Sequence, residues 1–320
     1  MPKSRIALAI FVAILAVSTA SIFIRLAQKD APSLVIAAVR LALASLILLP
    51  AAFHSSANRA QLKSLSRADW TLAILSGLFL SVHFASWITS LEYTTVVASV
   101  VLVSTGPLWV AVLSPLFLRE FPSRWVWNGM FLALVGTIIV GLGDSCAILL
   151  SGGSGATAVE GLSCPPLSDL LAGSAFLGNF LALVGAWTVA GYLMIGRRLR
   201  ARMDLVPYVF VVYSVAALAL IVYMLVAGQS PFGYQPLTYV WLLALALVPQ
   251  LIGHSTYNWA LRYLPASLVS VTTLGEPIGS AILALLILGE IPPALTLVGG
   301  AFILGGIYLS TKTDSGMGSG

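Results

Sequence analysis

The chain has 320 residues, of which 59% are hydrophobic and 8% charged, with a formal net charge of +5. Soluble domains are about 45–50% apolar and about 25% charged, and the 16 Lys/Arg plus 11 Asp/Glu of this chain cannot clothe so large a globule in water. The composition excludes a soluble enzyme, a nucleic-acid-binding domain and a disordered chain, and it makes lipid the solvent.

A lipid-spanning helix needs about 20 mostly apolar residues. Such runs predict ten spans, near 6–27, 33–53, 70–91, 95–118, 125–143, 175–196, 205–227, 238–261, 266–288 and 293–311. Lys3 and Arg5 precede the first run, which is longer than a signal-peptide core and reads as a retained helix. The second span carries Arg40, and the third carries His83, Ser86 and Trp87 at helical spacings i, i+3 and i+4, hence on one face. Pro107 lies in the fourth span, and Gly129 and Gly136 lie seven apart in the fifth. A loop at 144–169 follows, without Lys or Arg but with Cys146 and Cys164, which an oxidising compartment could join. The sixth span holds Trp187. From Leu205 to Leu261 the chain has no charged residue, and Gly228, Pro231, Gly233 and Pro236 divide it into the seventh and eighth spans. The eighth presents His254, Tyr257 and Asn258, again on one face. The ninth holds Glu276 and Pro277, the tenth holds Gly299 and Gly306, and 312–320 form a tail.

The loop charges give the orientation. With the N-terminus inside, inner segments hold Lys3, Arg5, Arg59, Lys63, Arg67, Arg119, Arg124, Arg197, Arg198, Arg200, Arg202, Arg262 and Lys312. Outer segments hold only Arg25 and Lys29. Such a bias predicts that both termini are cytoplasmic and that the helix number is even.

The chain also repeats itself. Pro107 matches Pro277, an offset of 277 − 107 = 170, and the same offset carries Glu120 to Glu290, Pro122 to Pro292, Gly129 to Gly299, Gly136 to Gly306, Leu91 to Leu261 and Tyr93 to Tyr263. Five helices per copy is an odd number, so the second copy must enter the membrane from the opposite side. The fold expected is an all-α membrane protein: ten transmembrane helices in two inverted five-helix repeats, 6–143 and 170–311, joined by the outer loop 144–169. Inverted repeats are typical of secondary transporters.

These residues resemble the EamA family of the drug/metabolite transporter superfamily. The likeness rests on Ala31-Pro32-Ser33 with Ala37-Ala38-Val39-Arg40, on Leu-x-Tyr at 91–93 and 261–263, on Leu-x-Glu at 118–120 and 288–290, on Gly196-Arg197-Arg198 and on Glu276-Pro277. It covers 6–143 and 170–311, and the 144–169 loop is longer than that family's pattern. The resemblance implies ten helices, two repeats, a bacterial inner-membrane location and export of small metabolites or toxic compounds.

Within the spans, Glu276 is the foremost functional candidate, because an intramembrane carboxylate faces a cavity or a partner. It could hold a proton or meet a substrate cation, or it could be a structural carboxylate. Its repeat equivalent is the uncharged Gly106. Arg40 could pair with a carboxylate, bind an anionic group or snorkel outward along its stem; pairing or snorkelling is the favoured reading. Pro107 and Pro277 remove backbone hydrogen bonds and would make gating or static kinks. His83, Ser86, Trp87, His254, Tyr257, Asn258 and Trp187 are candidates for a central substrate cavity, or for polar helix packing. The paired glycines would allow close helix approach, within the fold first and between copies of the chain second. No Walker-type or His-Glu-x-x-His motif occurs, and no cofactor or metal site is expected. The expected function is secondary transport of small amphipathic metabolites, such as amino acids, or of drugs, by alternating access, with proton coupling through Glu276 as a hypothesis. An intramembrane enzyme acting on a lipid carrier, or a channel, would be the alternatives.

Overall fold

The computed structural model describes residues 3–94, 96–145, 147–151, 158–163, 174–289, 294–310 and 312. In chain order its helices are α1 (Lys3–Ser18), α2 (Ala20–Ala27), α3 (Ser33–His54), α4 (Ser56–Ser64), α5 (Arg67–Tyr93), α6 (Val96–Val103), α7 (Gly106–Phe117) and α8 (Arg124–Ser145). After the 144–169 segment come α9 (Ser174–Arg200), α10 (Leu205–Val226), α11 (Pro236–Leu245), α12 (Ser255–Ala260), α13 (Ala266–Thr272), α14 (Glu276–Leu283) and α15 (Ala294–Ser310). Widened π turns follow α11 at Ala246–His254 and α14 at Ala284–Leu288, and a 3₁₀ turn, Thr273–Gly275, joins α13 to α14. Helices dominate because, in lipid, a segment must satisfy its own N–H and C=O groups. Within the 144–169 segment the backbones of β1 (Ala147–Ser151) and β2 (Ala158–Ser163) pair as an antiparallel hairpin. Cys146, Cys164, Glu290 and Pro292 lie outside the described residues.

Seven described helical runs are long and apolar enough to cross a membrane: Ser4–Ala27, Ser33–His54, Arg67–Tyr93, Phe176–Arg200, Leu205–Val226, Pro236–Ala260 and Ala266–Ile287. The other three expected spans fall on α6 with α7, on α8 and on α15. The first of these is divided at Ser104–Thr105, just ahead of Pro107.

The core is largely apolar, but the surface is apolar as well and several polar groups lie inside. Arg40, Gln250 and Asn258 are fully buried, whereas Leu218 and Phe131 are 66% and 69% exposed. An apolar outer surface, with the few polar side chains turned inward, is what a lipid solvent selects.

The helices pack in pairs from opposite halves of the sequence. α9 lies along α5, α10 along α3, α15 along α8, and α1 against the π segment Ala246–His254. The α8–α15 contact depends on glycine. A Cβ at Gly136 would stand 2.5 Å from the Gly299 carbonyl oxygen and 2.8 Å from Phe302 Cβ, and one at Gly129 or Gly306 would collide with the facing backbone. The two backbones therefore touch, as small residues at membrane helix interfaces permit.

Polar side chains tie the helices at both ends of the bundle. At one end Asp69, inside a capping box with Ser66, meets Arg202 at 3.1 Å, Arg262 meets Asp204 at 2.7 Å, and Arg197 meets Glu120 at 2.6 Å. At the other end the Ser33 hydroxyl donates to Glu92 at 2.5 Å, Thr94 donates to Asn179 at 3.0 Å, and Asp30 accepts from Thr238 at 2.7 Å. α5 thus starts where α9 finishes and ends where α9 starts, so these two neighbours run antiparallel.

Candidate functional site

Two helix breaks open the middle of the bundle. At Ser104–Thr105 the chain turns before α7 begins with Gly106-Pro107, and at Thr273–Gly275 it tightens before α14 begins with Glu276-Pro277. Each proline therefore occupies the first turn of a new segment, where a missing N–H is least costly. The irregular turn lies just ahead of each proline, where the missing N–H frees a carbonyl, as expected of a proline kink, and the backbone stays right-handed helical through it. Thr105 Oγ1 and Thr273 Oγ1 bond back to the carbonyls of Leu102 and Ser270 at 2.8 and 2.7 Å, taking up carbonyls near the breaks.

Between these breaks lies a cavity of about 60 Å³, within a cleft holding about 650 Å³ of empty space. Its polar wall is made by His83 and Trp87 of α5, Tyr192 of α9, His254 at the end of the π segment, Tyr257 of α12 and Glu276 of α14. Val17, Val103, Val189 and Leu193 supply apolar walls, and Ser104, Gly106, Pro107, Ser270 and Thr273 come from the two breaks.

Side-chain orientation follows from local bonds. His83 Nδ1 lies 2.9 Å from the Gly185 carbonyl. A carbonyl only accepts, so Nδ1 carries the proton, and Nε2 of a neutral ring is left as an acceptor. Trp87, one turn on, stacks on that imidazole with centroids 5.9 Å apart and planes at 15°. His254 meets His83 edge-on at 6.5 Å and Phe84 at 5.3 Å. Trp87 Nε1 and Tyr257 Oη are buried without a hydrogen-bond partner. Among the described residues, no hydrogen bond or ion pair engages the Glu276 carboxylate; its backbone carbonyl meets Ser18 Oγ at 3.5 Å. Buried polar groups are normally satisfied, so an N–H, an O–H and a carboxylate left open around one cavity suit a polar ligand with an apolar body.

Arg40 stands behind this wall. It is fully buried, its Nε donates to Gln250 Oε1 at 3.1 Å, and its guanidinium carbon lies 4.2 Å from the centre of the Phe84 ring. Its two terminal nitrogens have no partner. The side chain is held inward by a neutral amide and an aromatic face rather than snorkelling outward, and among the described residues no carboxylate lies within ion-pair distance of it, although its charge and that of Glu276 interact at longer range. The π segment explains Gln250. Pro249 cannot donate a backbone hydrogen bond, and the widened turn around it displaces the following residues relative to a regular helix.

Three other candidates lie off the cavity. Ser86 Oγ bonds back to Val82 and His83 carbonyls at 2.8 and 3.2 Å. Asn258 is buried behind Tyr192, donating to its hydroxyl and to the His254 carbonyl at 2.8 Å. Trp187 is 42% exposed and packs edge-on against Trp109 at 5.7 Å, so it faces outward. Conversely, Ser104, Ser270 and Thr273 reach the cavity although the sequence reading singled out none of them; hydroxyls flanking the two proline breaks were the available signal. Among the described residues no cluster of three or more His, Cys, Asp or Glu could hold a metal.

The family model for the EamA-like transporter family matches residues 4–142 and 176–312. The chain belongs to this family. It is a multi-pass membrane transporter and not an enzyme. An uncharacterised transporter of Archaeoglobus fulgidus is 24% identical over 292 residues, covering 91% of each chain. The inner membrane protein YtfF of Escherichia coli is 23% identical over 282 residues, 83% of each. The uncharacterised transporter YdfC of Bacillus subtilis is 22% identical over 231 residues, 72% of this chain and 67% of its own. A solved crystal structure superposes with a TM-score of 0.72 over 97% of both chains at 19% identity, a likeness of fold.

Proposed function

We propose that the chain is a secondary transporter of ten helices in two inverted repeats, which exports small metabolites or amphipathic drugs from a bacterial inner membrane with both termini inside. Solutes carrying a cationic group, amino acids among them, suit the cavity best. The single observation behind the solute and coupling reading is the Glu276 carboxylate, open to a narrow cavity and flanked by the unpartnered Trp87 N–H and Tyr257 O–H. A negative group there can hold either a proton or a substrate cation, and exclusive use of one site by two ligands is the simplest form of counter-transport.

The inverted-repeat reading is supported by the pairing of helices. The contact of α1 with the π segment in the second half has its counterpart in the contact of α9 with α5. It is supported again by two similar latches whose acceptors match at the repeat offset and whose arginines, 197 − 25 = 172 apart, are displaced by two residues from it. Arg25 Nη1 donates to the Leu91 carbonyl at 3.0 Å and Arg197 Nη1 to the Leu261 carbonyl at 2.7 Å, and 91 + 170 = 261. The two latches sit at opposite ends of the bundle, as alternating access by two equivalent halves requires. The cavity itself is too small for a sizeable solute, so loading one requires the walls to part.

The test is uptake into proteoliposomes with and without a pH gradient. Wild-type protein is expected to respond to the gradient, and Glu276→Gln to lose that response. A Glu276→Gln protein with full gradient-driven transport would contradict the coupling role.

A further inference from the structure

A second cavity lies away from the solute site, where α7 and α9 end. It holds about 550 Å³ and is lined by Leu116, Phe117, Arg119, Glu120, Arg197 and Arg198. The chain leaves α7 through Arg119, whose φ of 55° is left-handed, and this turn delivers Glu120 to Arg197 at 2.6 Å and to the Ala266 N–H at 3.2 Å. A left-handed non-glycine residue is uncommon and marks a position held by its surroundings. Arg197 neutralises Glu120, and Arg119 and Arg198 are exposed with no ion-pair or hydrogen-bond partner among the described residues. The pocket therefore carries two unbalanced positive charges.

Its rim is apolar and outward-facing. Leu116 is 74% and Phe117 59% exposed. These residues follow an apolar helix to its end, the level at which a bilayer changes from acyl chains to headgroups. Free phosphate would satisfy the arginines and leave the apolar rim bare. A lipid with a phosphodiester and acyl chains satisfies both. We propose that this pocket binds the headgroup of an anionic phospholipid, with Arg119 and Arg198 on the phosphodiester and the Leu116–Phe117 side against its chains. Because Arg197 already holds Glu120, the lipid seats beside the clasp that joins the α7–α8 turn to α9 and α13.

The experiment uses full-length protein in neutral detergent, with binding of phosphatidylglycerol, phosphatidylcholine and inorganic phosphate read by native mass spectrometry and thermal stabilisation. Arg119→Asn keeps a residue tolerant of the left-handed turn, and Arg198→Gln keeps a helix former. Wild-type protein should retain phosphatidylglycerol in preference to phosphatidylcholine. The double variant should bind it roughly twenty-five-fold more weakly, at about five-fold per basic side chain. The control Arg59→Gln/Lys63→Gln, on α4 at the same end, should bind within about two-fold of wild type. Equal protection by inorganic phosphate, no headgroup preference in the wild type, or equal weakening in the control would each overturn the proposal. The wild-type preference is measurable even if the double variant fails to fold.

Discussion

The two helix breaks occupy equivalent places in the two halves and do different things. At one, Ser104-Thr105-Gly106-Pro107 turns the chain with no charge; at the other, Leu274-Gly275-Glu276-Pro277 turns it with a carboxylate at the cavity wall. Gly106 lies close under α9, with the space for a Cβ 3.0 Å from Val189 Cγ1, whereas Glu276 brings a carboxylate to the cavity that His83, Trp87 and Tyr257 also line. The scaffold is duplicated and the chemistry is not. Under the proposed function, a pair of matching breaks suits opening alternately to two sides, and Glu276 is the carboxylate that a proton or a substrate cation neutralises.

The largest effect should come from attacking what the halves share. Gly306→Leu places a side chain where the Gly129 carbonyl and Ala133 already stand. Overpacking against backbone should cost about 3 kcal/mol or more, read as loss of a cooperative thermal transition in detergent. Retention of wild-type stability would mean that the α8–α15 contact is not part of the working structure. The next prediction removes the asymmetry. Gly106→Glu adds a second carboxylate to one narrow cavity, where two neighbouring negative charges cannot both be maintained, and crowds Val189. Transport should fall at least about ten-fold while most of the fold remains, measured by solute uptake alongside thermal unfolding. The smallest effect is expected at Trp187→Leu, on the outward face of α9. Uptake should stay within about two-fold of wild type, and a larger loss would place Trp187 in the solute path after all.

The helices and the duplication were legible because both are written in long signals: apolar runs about 20 residues long, and a constant offset of 170 that aligns Pro107 with Pro277 and Gly136 with Gly306. The face shared by His83 and Trp87 was legible from regular helical spacing. Elsewhere that spacing misleads. Around Pro249 the helix widens into π turns, so the faces bearing Gln250, His254 and Asn258 are not those of a uniform helix. Ser86 looked like a ligand from its spacing, yet its hydroxyl is used by its own helix, a common fate of serine in an apolar segment. Trp187 shows the other limit: hydropathy places a tryptophan in a span without saying whether it looks inward or at lipid. The inward anchoring of Arg40 depends on Gln250, 210 residues away, and on the Phe84 ring, a coincidence of tertiary packing that no local pattern announces.

The central claim is that one carboxylate, on one side of a duplicated scaffold, couples transport to a gradient. It is tested most directly by measuring the same Glu276→Gln protein in two modes: solute accumulation driven by a pH gradient, and solute exchange across the membrane with no gradient. The account predicts that gradient-driven accumulation is lost and that exchange is weakened with it, because the same carboxylate takes the proton and the substrate cation. Full gradient-driven accumulation by Glu276→Gln would contradict it.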